Sequence, residues 1–193
     1  MIVTRVLNSI KTFFYGFQLD ASFAGYLSLL PFLLIVFSIF MYSKIIIKII
    51  KVYTILILII IGLLLVTDAG LYLAWGTRLD ATLLTYLNTP EVMLASISGF
   101  QLFIGIVFWF LSTVLFIVLY ERKIQKRANK VTLGNWIQIP VFLFITATLI
   151  IPIRGGFQTV SINESNVYFS DKMFANHAAI NFSWNFFNAI TKK

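Results

Sequence analysis

The sequence contains no cysteine and a single histidine, and only 11% of its 193 residues are charged. Without cysteine it has no disulfide, thiolate nucleophile, zinc–thiolate site or iron–sulfur cluster. One histidine is too few for most transition-metal sites. Hydrophobic residues make up 60% of the chain, and its mean hydropathy is +0.93, whereas a soluble domain is about 45–50% apolar. A small globule cannot bury this surplus, so we predict an all-α integral membrane protein rather than a soluble enzyme.

Four stretches are long and apolar enough to cross a hydrocarbon core of about 30 Å, which takes about 20 residues in a helix. We predict transmembrane spans at 21–43, 45–68, 99–120 and 131–153. Pro31 and Pro140 interrupt the first and fourth spans, which is tolerated where neighbouring helices satisfy the freed carbonyl groups. Together the spans form a four-helix membrane module from residue 21 to residue 153.

The charges of the connecting segments predict the orientation of this module. Three lysines lie within residues 44–51, and residues 121–130 carry five bases against one acid, whereas the connection 69–98 holds a single base. Because basic loops remain in the cytoplasm, we expect both basic turns inside and both termini outside, together with residues 69–98. An outward amino terminus also predicts that a preceding span is missing from this chain. For the bases of 122–130, a polybasic lipid or nucleic-acid site is the alternative to a topological role.

Two terminal segments are predicted to lie on the membrane surface. Residues 1–20 carry apolar side chains at helical spacing, which indicates an interfacial amphipathic helix. Residues 154–193 follow a helix break and combine Asn and Ser with aromatic residues, so we expect an extracytoplasmic surface linker with short helices, one of them capped by Asn181. Since there is no second histidine, His177 is interpreted as a hydrogen-bonded interfacial residue rather than a metal ligand.

The connection between spans two and three carries the candidate functional residues. Leucine or tryptophan recurs at every fourth position from Leu71 to Leu87, which predicts a short amphipathic helix, and Thr89–Glu91 has the pattern of a helix start. Arg78 has two interpretations: its guanidinium clamps a lipid phosphate, or it pairs with an aspartate and holds the segment on the bundle. The residues expected to line a lipid-headgroup or substrate path are Asp68, Tyr72, Trp75, Arg78, Asp80 and Arg154.

Several short motifs occur in a fixed order along the chain. They include Phe13-Phe-Tyr-Gly-Phe-Gln-Leu-Asp20, Leu30-Pro-Phe-Leu-Leu, Gly76-Thr-Arg78, Tyr86-Leu-Asn-Thr-Pro90-Glu, Arg154-Gly-Gly and Asn176-His-Ala-Ala-Ile-Asn181. This ordered set covers nearly all of the chain. It resembles the amino-terminal membrane portion of the lipoteichoic acid synthase-like family, the membrane-anchored, sulfatase-fold phosphoglycerol and phosphoethanolamine transferases of bacterial envelopes.

The resemblance implies the membrane module of a transferase or hydrolase that acts on lipid-linked phosphate groups at the bacterial inner membrane. It further implies an extracytoplasmic catalytic domain of the alkaline phosphatase superfamily, with a threonine nucleophile and a divalent metal. That domain is missing from these residues, so we assign no catalytic residue, metal ligand or cofactor to this chain. The expected partners are membrane lipids and the catalytic domain, with no nucleic acid.

A stand-alone small membrane protein, acting as an accessory or structural subunit of an envelope complex, is the alternative function. A transporter or channel is disfavoured because no ionisable residue lies at the centre of a predicted span, where ion pathways usually place one.

Overall fold

The computed structural model describes residues 2–40, 43–87, 91, 97–130 and 135–192, and these residues form helices and loops without a β-strand. Three helices are long and apolar enough to cross a membrane: Ser9–Val36, Lys44–Trp75 and Gly99–Ala128. Many of their large apolar side chains face outward, and Phe100 is 73% exposed, which is the kind of surface that hydrocarbon covers. The predicted all-helical class is confirmed, with three helices of membrane-spanning length. A fourth apolar helix, Gln138–Arg154, is shorter, so the count of four spans stays a prediction.

The described residues contain both long helices and short ones. In chain order they are α1 (Ile2–Val36) with a 3-10 turn (Phe37–Ile39), α2 (Ser43–Trp75), α3 (Thr82–Leu87), α4 (Gly99–Tyr120), α5 (Gln138–Thr148), α6 (Ile150–Arg154), a 3-10 turn (Glu164–Val167), α7 (Met173–Ala179) and α8 (Phe182–Thr191). Helix α4 continues through a π-helical turn, Glu121–Gln125, into a last turn, Lys126–Ala128.

Helix α1 runs without a break through the boundary predicted between residues 20 and 21. The segment predicted as an interfacial helix and most of the first predicted span are therefore one helix, which ends at Val36 rather than at residue 43. Its 35 residues span about 52 Å at 1.5 Å per residue. Since the hydrocarbon core is about 30 Å thick, an α1 that crosses it extends well beyond it.

A side chain of α2 supplies the hydrogen-bond donor that Pro31 cannot give to the backbone of α1. A proline at position 31 has no N–H to donate to the carbonyl of Leu27, four residues earlier. The Tyr53 hydroxyl of α2 donates to that carbonyl at 3.0 Å. The expectation that a neighbouring helix satisfies the carbonyl freed by a proline is confirmed here.

Close packing of α2 against α4 depends on glycine. At Gly62 a Cβ atom would lie 2.5 Å from Thr113 Oγ1 and 3.2 Å from Trp109 Cδ1. The indole N–H of Trp109 donates to the carbonyl of Ile59 at 3.2 Å. The missing side chain at Gly62 thus lets a large aromatic residue of α4 reach the backbone of α2.

The leucine pattern from residue 71 to residue 87 does not form a single helix. Helix α2 continues to Trp75 and ends at Gly76, whose φ of +69° suits glycine. Residues 77–81 then fold back and bury Leu79 completely, so the short helix α3 begins only at Thr82. The four-residue spacing of the leucines therefore runs across a chain reversal and does not indicate a single helix. Leu79 is buried by tertiary packing rather than by its position on a helical face.

Helix α4 has the bounds predicted for the third span, Gly99 to Tyr120. Its start is a capping box that the sequence reading did not include: Ser98 Oγ accepts from the Gln101 N–H, and Gln101 Oε1 accepts from the Ser98 N–H at 3.0 Å. Most of the helix start predicted at Thr89–Glu91 lies outside the described residues.

The fourth predicted span corresponds to α5 and α6. Its first residues, 131–134, lie outside the described residues, and α5 begins at Gln138. Pro140 falls in the first turn of α5, where a missing N–H disturbs no helical hydrogen bond. The predicted break is confirmed at Gly155: its φ is +81°, and the Gly156 N–H bonds back to the carbonyl of Ile151 at 2.9 Å.

The helices bring distant segments together at two opposite ends of the bundle. At one, which we call the basic end, Lys51 Nζ lies 2.5 Å from Glu121 Oε1, so residues 44–51 meet residues 121–130. At the other, the distal end, Leu19 of α1 packs with Trp184 of α8 in a buried cluster. Both basic segments therefore share one end, and the carboxy-terminal helices share the other with the amino-terminal half of α1.

Candidate functional site

A buried ion pair connects α2 to the loop that follows it at the distal end. Arg78 Nη1 lies 2.8 Å from Asp68 Oδ2, and only 20% and 4% of the two side chains are exposed. The Leu79 N–H donates to the other carboxylate oxygen at 2.9 Å. The reversal at Gly76 returns the chain alongside α2, so these two residues reach the carboxylate of Asp68, which lies about two helical turns before the end of α2.

The guanidinium of Arg78 also joins the carboxy-terminal helices. Its Nη2 donates to the carbonyl of Ile180, between α7 and α8, at 2.8 Å. Its Cζ lies 5.9 Å from the centre of the Tyr72 ring, which allows a cation–π contact. Arg78 Nε is buried and has no acceptor among the described residues. A buried donor without a partner costs free energy, so a further acceptor at this position would be stabilising.

A cleft of about 250 Å³ opens beside this ion pair. Its lining combines a cation, a carboxylate, two aromatic rings and hydroxyl groups: Leu71, Trp75, Thr77, Arg78, Asp80, Thr82, Leu83 and Tyr86. The rings of Trp75 and Tyr86 are 4.9 Å apart. Asp80 Oδ1 accepts from the Thr82 N–H at 2.8 Å and from its hydroxyl, so this carboxylate also fixes the start of α3.

Five of the six candidate residues lie close together. Trp75, Arg78 and Asp80 line the cleft, and Asp68 and Tyr72 contact Arg78. Arg154 does not line the cleft. It is exposed, and its Nη2 donates to the carbonyls of Thr159 at 2.9 Å and Gln158 at 3.4 Å, which closes the loop after α6.

The carboxy-terminal helices supply contacts to this site that the sequence reading did not assign. Asn185 of α8 is buried and donates to the carbonyl of Leu79 at 2.9 Å. Asn181 caps α8, as predicted, by accepting from the Trp184 N–H at 2.8 Å, and it also donates to Asp20 Oδ1 at 2.6 Å. The abundance of asparagine in the tail is the only sequence signal for the contacts of Asn185 with Leu79 and of Asn181 with Asp20, because these partners lie more than 100 residues away.

Trp184 fixes α8 against two further helices. Its indole N–H donates to Ser22 Oγ at 3.0 Å, and the Ser22 hydroxyl donates to the carbonyl of Ile153 at 2.8 Å. Ser22 and Trp184 are both buried. This chain of two hydrogen bonds links α8, α1 and α6, and it holds the carboxy-terminal helices in position beside Arg78.

The groups at this site can bind a charged ligand. In the part of the chain that the structure describes, no three His, Asp or Glu residues lie close enough together to hold a metal ion. The rings of His177 and Tyr72 are nearly perpendicular, with their centroids 5.8 Å apart. A guanidinium beside aromatic rings in a cleft can bind an anionic or zwitterionic group.

No protein-family model, no curated protein and no solved structure matches this chain.

Proposed function

We propose that this chain is the membrane-embedded module of a bacterial envelope enzyme of the lipoteichoic acid synthase-like type. In this proposal it anchors an extracytoplasmic catalytic domain of the alkaline phosphatase superfamily and helps position lipid headgroups for that domain. The cleft beside Arg78 carries the proposal, because it presents a guanidinium and two aromatic rings at the end of an apolar bundle. Catalysis and the divalent metal belong to the catalytic domain.

The proposed orientation has four spans in the inner membrane, with the basic end in the cytoplasm. The contact between Lys51 and Glu121 supports it, since both basic turns must lie on one side for the positive-inside rule to hold. The distal end, with the Arg78 cleft, then faces the extracytoplasmic side, where the catalytic domain and the lipid headgroup meet.

Arg78 is suited to bind a phosphate in this setting. A guanidinium has five N–H donors, and the described residues accept from two of its nitrogens, Nη1 and Nη2. Asp68 and the Ile180 carbonyl hold the group in place, so a phosphate meets an oriented cation rather than a flexible one. Trp75 and Tyr86 have the aromatic character that is common at headgroup depth.

The proposal is tested in the complete enzyme, with its catalytic domain, by the substitution Arg78→Ala. We expect turnover of a lipid-linked substrate to fall about tenfold or more, which is the effect of losing a charged hydrogen bond. Hydrolysis of a soluble phosphodiester should be unchanged, because it needs no headgroup site. Lys172→Ala removes another exposed cation of the distal end and should leave both activities intact.

Two outcomes would contradict headgroup binding by Arg78. One is an equal loss of both activities, and the other is no loss of either. Asp68→Asn separates binding from folding, because it removes the negative charge that holds Arg78 and keeps the guanidinium. If Asp68→Asn and Arg78→Ala lower thermal stability and lipid turnover in parallel, the pair is structural.

The accessory-subunit function is the second candidate, and the contacts of Arg78 favour it. The guanidinium bonds to Asp68 of α2 and to the Ile180 carbonyl between α7 and α8, as expected for a group that holds the distal end together. Large apolar side chains there also face outward, including Phe157 at 91% and Phe174 at 71% exposure. Stable co-purification with another envelope protein, with no phosphatase-like reading frame adjoining the gene, would select this function.

A further inference from the structure

The basic end concentrates the positive charge of the chain. Eight of its fifteen lysines and arginines lie in residues 44–51 and 121–130, with Glu121 as the only acid there. The ion pair between Lys51 and Glu121 brings the two segments together and neutralises that acid. The surface that remains has a large excess of cations, which neither headgroup positioning at the distal end nor an accessory role uses.

The extension of α4 directs its cations outward. The Tyr120 hydroxyl donates to Gln125 Oε1 at 2.9 Å, and Gln125 Nε2 donates to Asn129 Oδ1 at 2.8 Å. A π-helical turn brings residues five apart onto one face, so Gln125 is buried over Tyr120. The bases around these hydrogen-bonded side chains are all exposed: Arg122, Lys123, Lys126, Arg127 and Lys130. We call these five residues the basic face.

The basic face lies at headgroup depth when α4 crosses a bilayer. The 22 residues of α4 span about 33 Å, which matches a hydrocarbon core of about 30 Å. The bases follow directly after this length, and their aliphatic stems can extend along the apolar boundary. Ile124 beside them is 58% exposed, and Trp136 after the turn is 72% exposed. Exposed apolar and indole groups among cations fit a lipid interface better than an aqueous polyanion.

We propose that the basic face binds anionic phospholipids of the leaflet at the basic end through their phosphate groups. The charge complementarity is direct, since several cations share one surface and the single neighbouring acid is already paired. This site lies at the opposite end of the bundle from the Arg78 cleft. It is therefore independent of the proposed function and applies equally to an accessory subunit.

The test measures lipid selectivity of the full chain reconstituted in phosphatidylcholine membranes. Electron paramagnetic resonance with spin-labelled phosphatidylglycerol and spin-labelled phosphatidylcholine gives the ratio of their association constants with the protein. We expect a preference of about fivefold for phosphatidylglycerol, the factor that one cation near an anionic surface contributes. The variant K126Q/R127Q/K130Q should lower the ratio toward one. The matched variant K11Q/K172Q/K192Q removes three cations elsewhere and should keep it.

Several results would overturn the proposal. One is an unmodified chain with no preference for phosphatidylglycerol, a result that does not depend on how any variant folds. Another is an equal loss in the two triple variants, which would reflect net charge alone. A third is an unchanged ratio in K126Q/R127Q/K130Q. Loss of single-stranded RNA binding at about 0.15 M salt in that variant, with the lipid preference retained, would identify a nucleic-acid surface instead.

Discussion

Tyr53 shows at the scale of a single residue how a membrane helix accommodates a proline. Pro31 leaves the carbonyl of Leu27 without its helical donor, and no water is available in hydrocarbon to replace it. The Tyr53 hydroxyl, on another helix, supplies the donor. The need for such a donor follows from the sequence, but the identity of the donor follows only from the packing of α1 against α2.

This pairing predicts a non-additive pair of substitutions. Tyr53→Phe should lower the free energy of unfolding by about 1 kcal/mol, because it leaves a buried carbonyl unsatisfied. In a Pro31→Ala background the N–H of residue 31 serves the same carbonyl, so Tyr53→Phe should cost little there. Denaturant unfolding of the four proteins in detergent micelles gives the coupling energy. An equal cost in both backgrounds would show that the hydroxyl acts elsewhere.

Arg78 is the residue for which the sequence left two roles open. The structure contains the ion pair with Asp68, and it adds a contact that neither interpretation included, to the carbonyl of Ile180. The pair and a phosphate site are compatible, because a guanidinium can serve an aspartate and a phosphate with different N–H groups. Headgroup binding by Arg78 therefore stays a prediction, to be tested in the complete enzyme.

At the scale of helices, the fit of α2 against α4 depends on the absence of a side chain at Gly62. Apolar faces give helices in lipid little directional preference, so small residues decide where two backbones approach. Gly62 meets Trp109 and Thr113 of α4, whereas a Cβ at Gly70, two turns further along α2, would meet no atom within 4 Å. The two glycines have the same sequence context of an apolar helix but different surroundings.

We predict effects of opposite sign for alanine at these glycines. Gly62→Ala should lower the free energy of unfolding by about 1–3 kcal/mol, because the methyl group overpacks the α2–α4 contact. Gly70→Ala should raise the free energy of unfolding by about 0.5–1 kcal/mol. Alanine lowers the conformational entropy of the unfolded chain, and its methyl group meets no atom in the folded helix. Thermal or denaturant unfolding in the same detergent compares them. Stabilisation by both substitutions would mean that α2 and α4 are not in close contact at Gly62.

At the scale of the whole molecule, the bundle separates its charges between two ends. The cations in the first turns of α2 and in the extension of α4 meet at the basic end, whereas the Arg78 cleft and the carboxy-terminal helices share the distal end. A bilayer can therefore contact the apolar middle and leave both ends at headgroup depth or beyond.

This arrangement predicts the sidedness of single cysteines. Because the chain has no cysteine, Ile124→Cys and Ser165→Cys each introduce a unique thiol at an exposed position of one end. A membrane-impermeant maleimide should label Ser165→Cys in intact cells and Ile124→Cys only after permeabilisation. Labelling in the reverse pattern would invert the proposed orientation, and labelling of both in intact cells would exclude a membrane between the two ends.

The sequence alone determined the helical class, the long apolar helices, the bounds of α4, the helix end at Gly155 and the cap at Asn181. Each of these depends on residues close together in the chain, such as an uncharged run, a glycine with positive φ or an asparagine before a helix. It did not predict that α1 is continuous through residue 20, since local apolar spacing does not show where a helix meets the membrane surface.

The tertiary structure decided which distant residues meet. Arg78 reaches the carbonyl of Ile180, 102 positions away, and Asn185 reaches that of Leu79, 106 positions away. No local pattern encodes these contacts, because apolar surfaces in lipid restrict helix rotation and register only weakly. Close-fitting positions such as Gly62, and buried polar groups that need partners, select one packing from many. The apolar composition of the chain thus favours a lipid environment, and its few polar and small residues determine how the helices pack.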